Sequence, residues 1–147
     1  RSHDDQHQRP LMSAFEDLIF FANEAFYAAF ASGDVAIMNA VWATEAKLAC
    51  LHPGAPPLFD RDAIMESWRQ ILSDDGVATM TVVAPRVLTS GTMAVVNCYE
   101  VIGNSGLVAT NGFVQERGVW KMALHHASPC PSNLIPTVVD NDSQPLH

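Results

Sequence analysis

The periodicity of apolar residues changes once in this chain, near residue 77, and the change separates a helical half from a strand half. Phe15, Leu18, Ile19, Ala22, Ala25, Phe26, Ala29 and Phe30 recur three and four apart and predict one face of a helix. Ser13-Ala-Phe-Glu16 reads as a capping box, so the helix is predicted over 13–32, with Gly33 as its left-handed stop. Phe20, Phe21 and Tyr27 lie partly off that face, where another subunit would cover them. Asp34 caps a second, shorter helix through Trp42, with Val35, Met38, Val41 and Trp42 on its apolar side. Weak alternation over 47–52 predicts a short strand, and the three prolines and glycine of 52–57 make a loop. Asp60 or Asp62 opens a third helix that buries Ile64, Met65, Trp68, Ile71 and Leu72, and Asp74-Asp75-Gly76 ends it.

Beyond residue 77 the period is two. Residues 77–89, 92–102, 107–116 and 119–127 are rich in β-branched and aromatic side chains, and the links between them are short. Such links make consecutive antiparallel hairpins. Pro129, Pro131, Pro136 and Pro145 then punctuate a tail that is no central strand or helix. Three helices gathered on one face of an antiparallel sheet make an α+β domain, and a bent sheet under them encloses a hollow.

Turn lengths set a register. With two-residue turns at Ser90-Gly91 and Arg117-Gly118 and a loop over Gly103 to Gly106 that sets Ile102 opposite Leu107, Thr81 faces Glu100, Glu100 faces Ala109, Cys98 faces Asn111, and Ala109 faces His126. The helix-facing side then reads Val96, Cys98, Glu100, Ala109, Asn111, Phe113, Trp120, Met122, Leu124 and His126. Tyr99, Val101, Ala123 and His125 take the other side. A bulge would reverse part of this and exchange His125 for His126.

Composition narrows the class. The chain has 147 residues, 48% of them hydrophobic, and a net charge of −8, which suits a single domain and excludes a disordered one. The acidic excess speaks against nucleic acid and anionic membrane surfaces as partners. The apolar stretch 15–31 is interrupted by Glu16, Asp17, Asn23 and Glu24, so no membrane span is expected. Cys50, Cys98 and Cys130 are too scattered for a zinc or redox motif. They read as free thiols in a reducing, cytoplasmic setting. Residues 1–12 are expected to be disordered or foreign to the natural protein, 13–128 to form the domain, and 129–147 the Pro-rich tail.

Several stretches resemble the SnoaL-like domains of the nuclear transport factor 2 (NTF2)-like superfamily. They are Ser32-Gly33-Asp34 before a helix ending in Trp42, His52-Pro53-Gly54, and the third helix with Arg61, Ala63, Ile64, Ser67, Trp68 and Ile71. Ala109-Thr110-Asn111-x-Phe113 and Trp120-Lys121-Met122-x-x-His125-His126-Ala127-Ser128 complete the pattern, and Asp60 departs from the glycine common before the arginine. The resemblance implies a cone-shaped fold, three N-terminal helices packed on a strongly bent, mainly antiparallel sheet, and a homodimer formed through that sheet. It also implies a first strand parallel to the last, bringing His52 towards His125 and His126. It implies no single activity, because isomerases, dehydratases, cyclases and binding modules share the fold.

Glu100 is the most informative candidate. A carboxylate on a covered face needs a partner or a proton. It is either a general base with a raised pKa, or a rim residue bonded to Thr81 or Asn111. His126, or His125 if the register slips, is the candidate proton partner, and Asn111 the oxyanion or orienting donor. His52, Trp42, Trp68, Cys98, Phe113, Met122 and His125 are candidate walls of the pocket; most of the aromatic ones serve equally well as core. No close-spaced ligand pair supports a metal site, and no cofactor is expected. Two readings follow. One is a cofactor-independent acid–base enzyme of isomerase, dehydratase or cyclase type, acting on a small apolar, carbonyl-bearing molecule. The other is a non-catalytic ligand-binding or dimerisation module.

Overall fold

The structure, a computed structural model, describes residues 5–73, 79–90 and 92–137, and within these the side chains of 14–73, 79–89 and 92–137. Helix α1 (Asp5–Ser32) is followed by α2 (Val35–Val41), strand β1 (Ala49–Leu51) and helix α3 (Arg61–Leu72). Strands β2 (Met80–Ser90), β3 (Met93–Ile102), β4 (Ser105–Glu116) and β5 (Val119–Pro129) form the meander, and a 3-10 turn (Ser132–Leu134) closes the described chain. The sheet order is β1-β5-β4-β3-β2, with β1 parallel to β5 and the other pairs antiparallel. The arrangement is the α+β plan expected, with three helices among the described residues. None of them is long and apolar enough to cross a membrane. The predicted end of the third helix at Asp74-Asp75-Gly76, Gly91 of the first hairpin turn, and the tail beyond 137 lie outside the described residues.

Local chemistry places the helix ends. Gly33 has φ +68°, the left-handed conformation that stops α1, and its N–H reaches the Phe30 carbonyl. Asp34 caps α2 by accepting from the Ala36 N–H, and Asp60, not Asp62, caps α3 by accepting from the Ala63 N–H. The aspartate that departs from the resembled pattern is therefore the cap itself. The start of α1 differs from expectation: the helix begins at Asp5, so Ser13 lies in its interior.

The buried stripe of α1 is also rotated. Ile19, Asn23, Phe26 and Ala29 are buried, whereas Phe15, Leu18 and Ala25 are exposed. Tyr27 turns inward, not towards another subunit. Period alone cannot separate these settings, because apolar residues flank the stripe on both sides.

Two bulges reshape the sheet. In β2 the ladder slips between Val83 and Arg86, at Ala84 (φ +51°) and Pro85, which has no N–H to pair. The hairpin also closes with Ser90 opposite Met93, not Thr89 opposite Thr92, and the two shifts together place Glu100 opposite Val82, not Thr81. The link 103–106 is tighter than expected, so Glu100 faces Leu107, Cys98 faces Ala109, and Asn111 faces Val96. The second slip falls between Gly112 and Phe113, where both Met122 and Ala123 turn inward. Gly112 permits it: a Cβ there would lie 3.0 Å from Leu124 Cβ. Past this point β5 presents His125 and Ala127 to the helices, while His126 is exposed on the other face. The core fills one end of the molecule with Met38, Trp42, Ile64, Phe113 and Met122. At the other end it stays hollow.

Candidate active site

The hollow has a volume of about 230 Å³ and lies between α1, α3 and the sheet. Phe26 and Phe30 of α1, Trp68 and Ile71 of α3, and Ile102 and Leu107 of the sheet supply most of its apolar wall. Among the described residues, three ionisable side chains line it: His52, Glu100 and His125. His52 arrives from the end of β1, because Leu51 pairs with His126 in parallel register. The two imidazoles sit 6.3 Å apart between ring centroids, and Trp68 lies against both, at 4.9 Å from His52 and 5.7 Å from His125.

Glu100 is 2% exposed. The Tyr27 hydroxyl donates to its Oε2 at 2.5 Å. Burial pushes its carboxyl above the usual value of 4.5, and the Tyr27 bond offsets part of that. The same phenol lies 3.2 Å from Cys98 Sγ and accepts from Asn111 Nδ2 at 3.0 Å. Burial first, and Glu100 second, push the Tyr27 hydroxyl well above its ordinary range, so it stays protonated and serves as a donor. Asn111 Nδ2 also donates to Asn23 Oδ1 at 2.8 Å. Both amide hydrogens are thus committed, and Asn111 Oδ1 accepts from His125 Nδ1–H at 2.7 Å.

This fixes the His125 tautomer: Nδ1 carries the hydrogen and Nε2 a lone pair. Burial, helped by His52 and His126, holds the ring neutral by pulling its pKa down to about 3. His52 is fixed in a similar way. Ser67 Oγ gives its hydrogen to the Ile64 carbonyl at 2.6 Å, so His52 Nε2–H donates to Ser67 Oγ at 2.9 Å, with Cys50 Sγ a second, more distant neighbour of the same nitrogen at 3.5 Å. Its Nδ1 keeps the lone pair, and burial lowers its pKa. Glu100 Oε1, His125 Nε2 and His52 Nδ1 have no partner among the described residues. Yet among the described residues the polar side-chain atoms that are both sealed and unpartnered are three indole nitrogens, those of Trp42, Trp68 and Trp120. The other three atoms therefore keep open surface, and the hollow is the space their side chains line.

The remaining sequence candidates are placed as follows. Trp68 is a wall of the hollow. Phe113 and Met122 are fully buried in the packed end. Trp42 lies there too and borders a different hollow of about 360 Å³ with Arg61, Glu116 and Lys121. The charged groups Arg61 and Glu116 at that second hollow are already matched: Arg61 bonds Asn39 and the Ala43 carbonyl, and Glu116 accepts from the N–H groups of Thr44, Glu45 and Ala46. Cys98 sits behind Glu100, and burial raises its thiol to about 11. His126 faces away, and His125 takes its place. Among the described residues, no group of three or more His, Cys, Asp or Glu is arranged to hold a metal ion. Sequence reasoning missed Tyr27 and Asn23. The signal available was a phenol and an amide four residues apart on one stripe of α1, opposite an inward-facing Glu.

Residues 19–132 match the family described as the SnoaL-like domain. Among solved structures, the chain is similar to a putative dehydratase of the NTF2-like family from Streptomyces avermitilis. Identity is 28% over 78% of this chain and 94% of that one, with a TM-score of 0.72. It is similar at 35% identity to a putative calcium/calmodulin-dependent protein kinase type II association domain from Thiobacillus denitrificans, over 74% of this chain and 92% of that one, with a TM-score of 0.65. An NTF2-like protein of unknown function from Pseudomonas putida shares the fold at 18% identity over 79% of this chain and 87% of that one, with a TM-score of 0.66. No curated protein matches.

Proposed function

This chain belongs to the SnoaL-like domain family, with an NTF2-like fold, and we propose that it is an acid–base enzyme moving a proton on a small, largely apolar, carbonyl-bearing molecule. The observation that carries this reading is the setting of Glu100. Its carboxyl is buried, has no cationic partner among the described residues, and keeps one oxygen open to an apolar hollow. An apolar side chain there would cost the fold less. A carboxyl with a raised pKa is suited to taking a proton from carbon beside a carbonyl.

In this reading Glu100 takes and returns the proton, and Tyr27 holds its carboxylate by a charge-assisted hydrogen bond. Asn111 positions Tyr27 and His125; with both its amide hydrogens committed, it does not serve as an oxyanion donor. His125 stands where His126 was expected and acts as a neutral acceptor. The step proceeds without a cofactor. The 28% identity to a putative dehydratase agrees with this class of chemistry.

The test is exchange of the hydrogens next to the carbonyl of 1-indanone in heavy water, followed by proton NMR. Wild-type protein is expected to accelerate exchange, and Glu100→Gln to lose roughly 10²–10⁴-fold of that acceleration with binding little changed. Equal exchange in the variant, or none with wild-type protein at saturating ketone, overturns the proposal.

A second reading, an association module that dimerises through the sheet, has one observation in its favour: the 35% identity to a putative association domain. Tyr99 and Val101, half-buried on the outer face of β3, would be contacts. Ala123 would not, because the β5 bulge turns it into the core. Light scattering at high concentration tests this: a dimer is expected, and a strict monomer removes it.

A further inference from the structure

We propose that the molecule taken by this hollow is uncharged and carries a hydroxyl group, which it presents to His52 Nδ1 and His125 Nε2. The inference rests on the acid–base reading above and narrows its substrate.

Every polar hydrogen that the two imidazoles own is already spent, on Ser67 Oγ and on Asn111 Oδ1. What remains at the surface of the hollow is a lone pair on each ring and one carboxyl oxygen of Glu100. Tyr27 and Asn111 spend their hydrogens among themselves and on Asn23 and Glu100. The Trp68 indole N–H is sealed from the space. No arginine or lysine among the described residues lines the hollow.

A ligand offering only acceptors to the histidine end would leave two buried lone pairs facing its own. A ligand offering an O–H satisfies one of them directly. An anion would meet no cation there. An ammonium group would find one counter-charge there, the Glu100 carboxylate, and pairing with it would tie up the group that the acid–base reading needs as proton acceptor, so a neutral O–H is the donor that leaves Glu100 free.

In a β-hydroxyketone such a hydroxyl is also a leaving group. Glu100 takes the hydrogen between carbonyl and carbinol carbons, the C–O bond breaks as the C=C bond forms, and the proton on Glu100 passes to the departing oxygen as water. Atoms and charge balance with no further reactant.

The experiment compares binding of 3-hydroxy-1-indanone with that of 1-indanone, 3-amino-1-indanone and 1-indanone-3-carboxylate by calorimetry. The hydroxy compound is expected to bind about tenfold more tightly than 1-indanone, the worth of one good hydrogen bond, with the amine and carboxylate weaker still. In His52→Phe that preference is expected to shrink. Nitrogen-15 NMR of the wild-type imidazoles gives a reading that needs no substitution: the unprotonated nitrogen of at least one of His52 and His125 shifts with the hydroxy compound and not with 1-indanone. Equal affinity for the two ketones, a preference for the amine or the carboxylate, or unmoved imidazole signals overturns the proposal. Loss of Glu100-dependent exchange with the hydroxyl preference intact would instead overturn the acid–base reading alone.

Discussion

A carboxyl sealed beneath a helix carries a penalty that depends on pH. The folded-state pKa of Glu100 is raised above 4.5, so its ionised form is disfavoured in the native state. Below about 4.5 both folded and unfolded chains hold the proton, and the penalty is absent. It grows as pH rises through the folded value and is fully present above it. Glu100→Gln keeps an oxygen for Tyr27 to donate to, and is expected to melt at a higher temperature than wild type at pH 8. Thermal denaturation should show the gap closing as pH falls to 4.5; a gap of constant size counts against a raised pKa. His125 works in the opposite direction. Its folded pKa of about 3 lies below the ordinary 6.5, so its contribution is complete above 6.5 and is lost as pH falls from there towards 3. Urea denaturation at stepped pH should therefore find His125→Gln, where folded, less sensitive to acid over that window than wild type. Glu100 and Asn111 were legible as inward-facing groups, because alternation along a strand survives a shift of register by two. Tyr27 was not, because a helix face is set by what it packs on, and a rotation of one residue exchanges a phenol for a neighbour.

Strands and turns carried most of the misreading, and for one physical reason: a single inserted residue reverses every side chain beyond it. The slip beside Gly112 moves His126 out and His125 in, and sends Ala123 from the outer face to the core. An undecorated glycine within a strand is the sequence sign of such a place, as is Pro85 in β2. Loop length matters as well, since the tighter hairpin at 103–106 slides Glu100 from Ala109 to Leu107 without changing its face. Gly106 has a different duty. A Cβ there would lie 2.5 Å from Ile135 Cδ1 and 2.6 Å from the Cys130 carbonyl oxygen, and the Cys130 N–H bonds the Gly106 carbonyl. Gly106→Ala is expected to lift the 130–135 segment off β4 at a cost of about 1–3 kcal/mol. Hydrogen exchange at the Cys130 amide should quicken in that variant; unchanged protection would mean that the backbone shifts instead.

The molecule divides its interior between a packed end and a hollow one. Large side chains of α2, α3, β4 and β5 meet at the first, where Trp42, Phe113 and Met122 are buried nearly completely. These were candidate walls because composition alone cannot say where a core stops and a cavity begins. At the second end a hollow lies between α1, α3 and the sheet, and His52, Glu100 and His125 come together there from three different strands or their ends. The parallel placement of β1 beside β5, implied by the family resemblance and seen here, is what brings His52 to the group. The account stands on Glu100 being a proton carrier that faces this space. Carbon-13 NMR of the Glu100 carboxyl across a pH titration tests that most directly. The expected midpoint lies above 4.5 and moves when 3-hydroxy-1-indanone is added. A midpoint at or below 4.5, unmoved by the ligand, would contradict it.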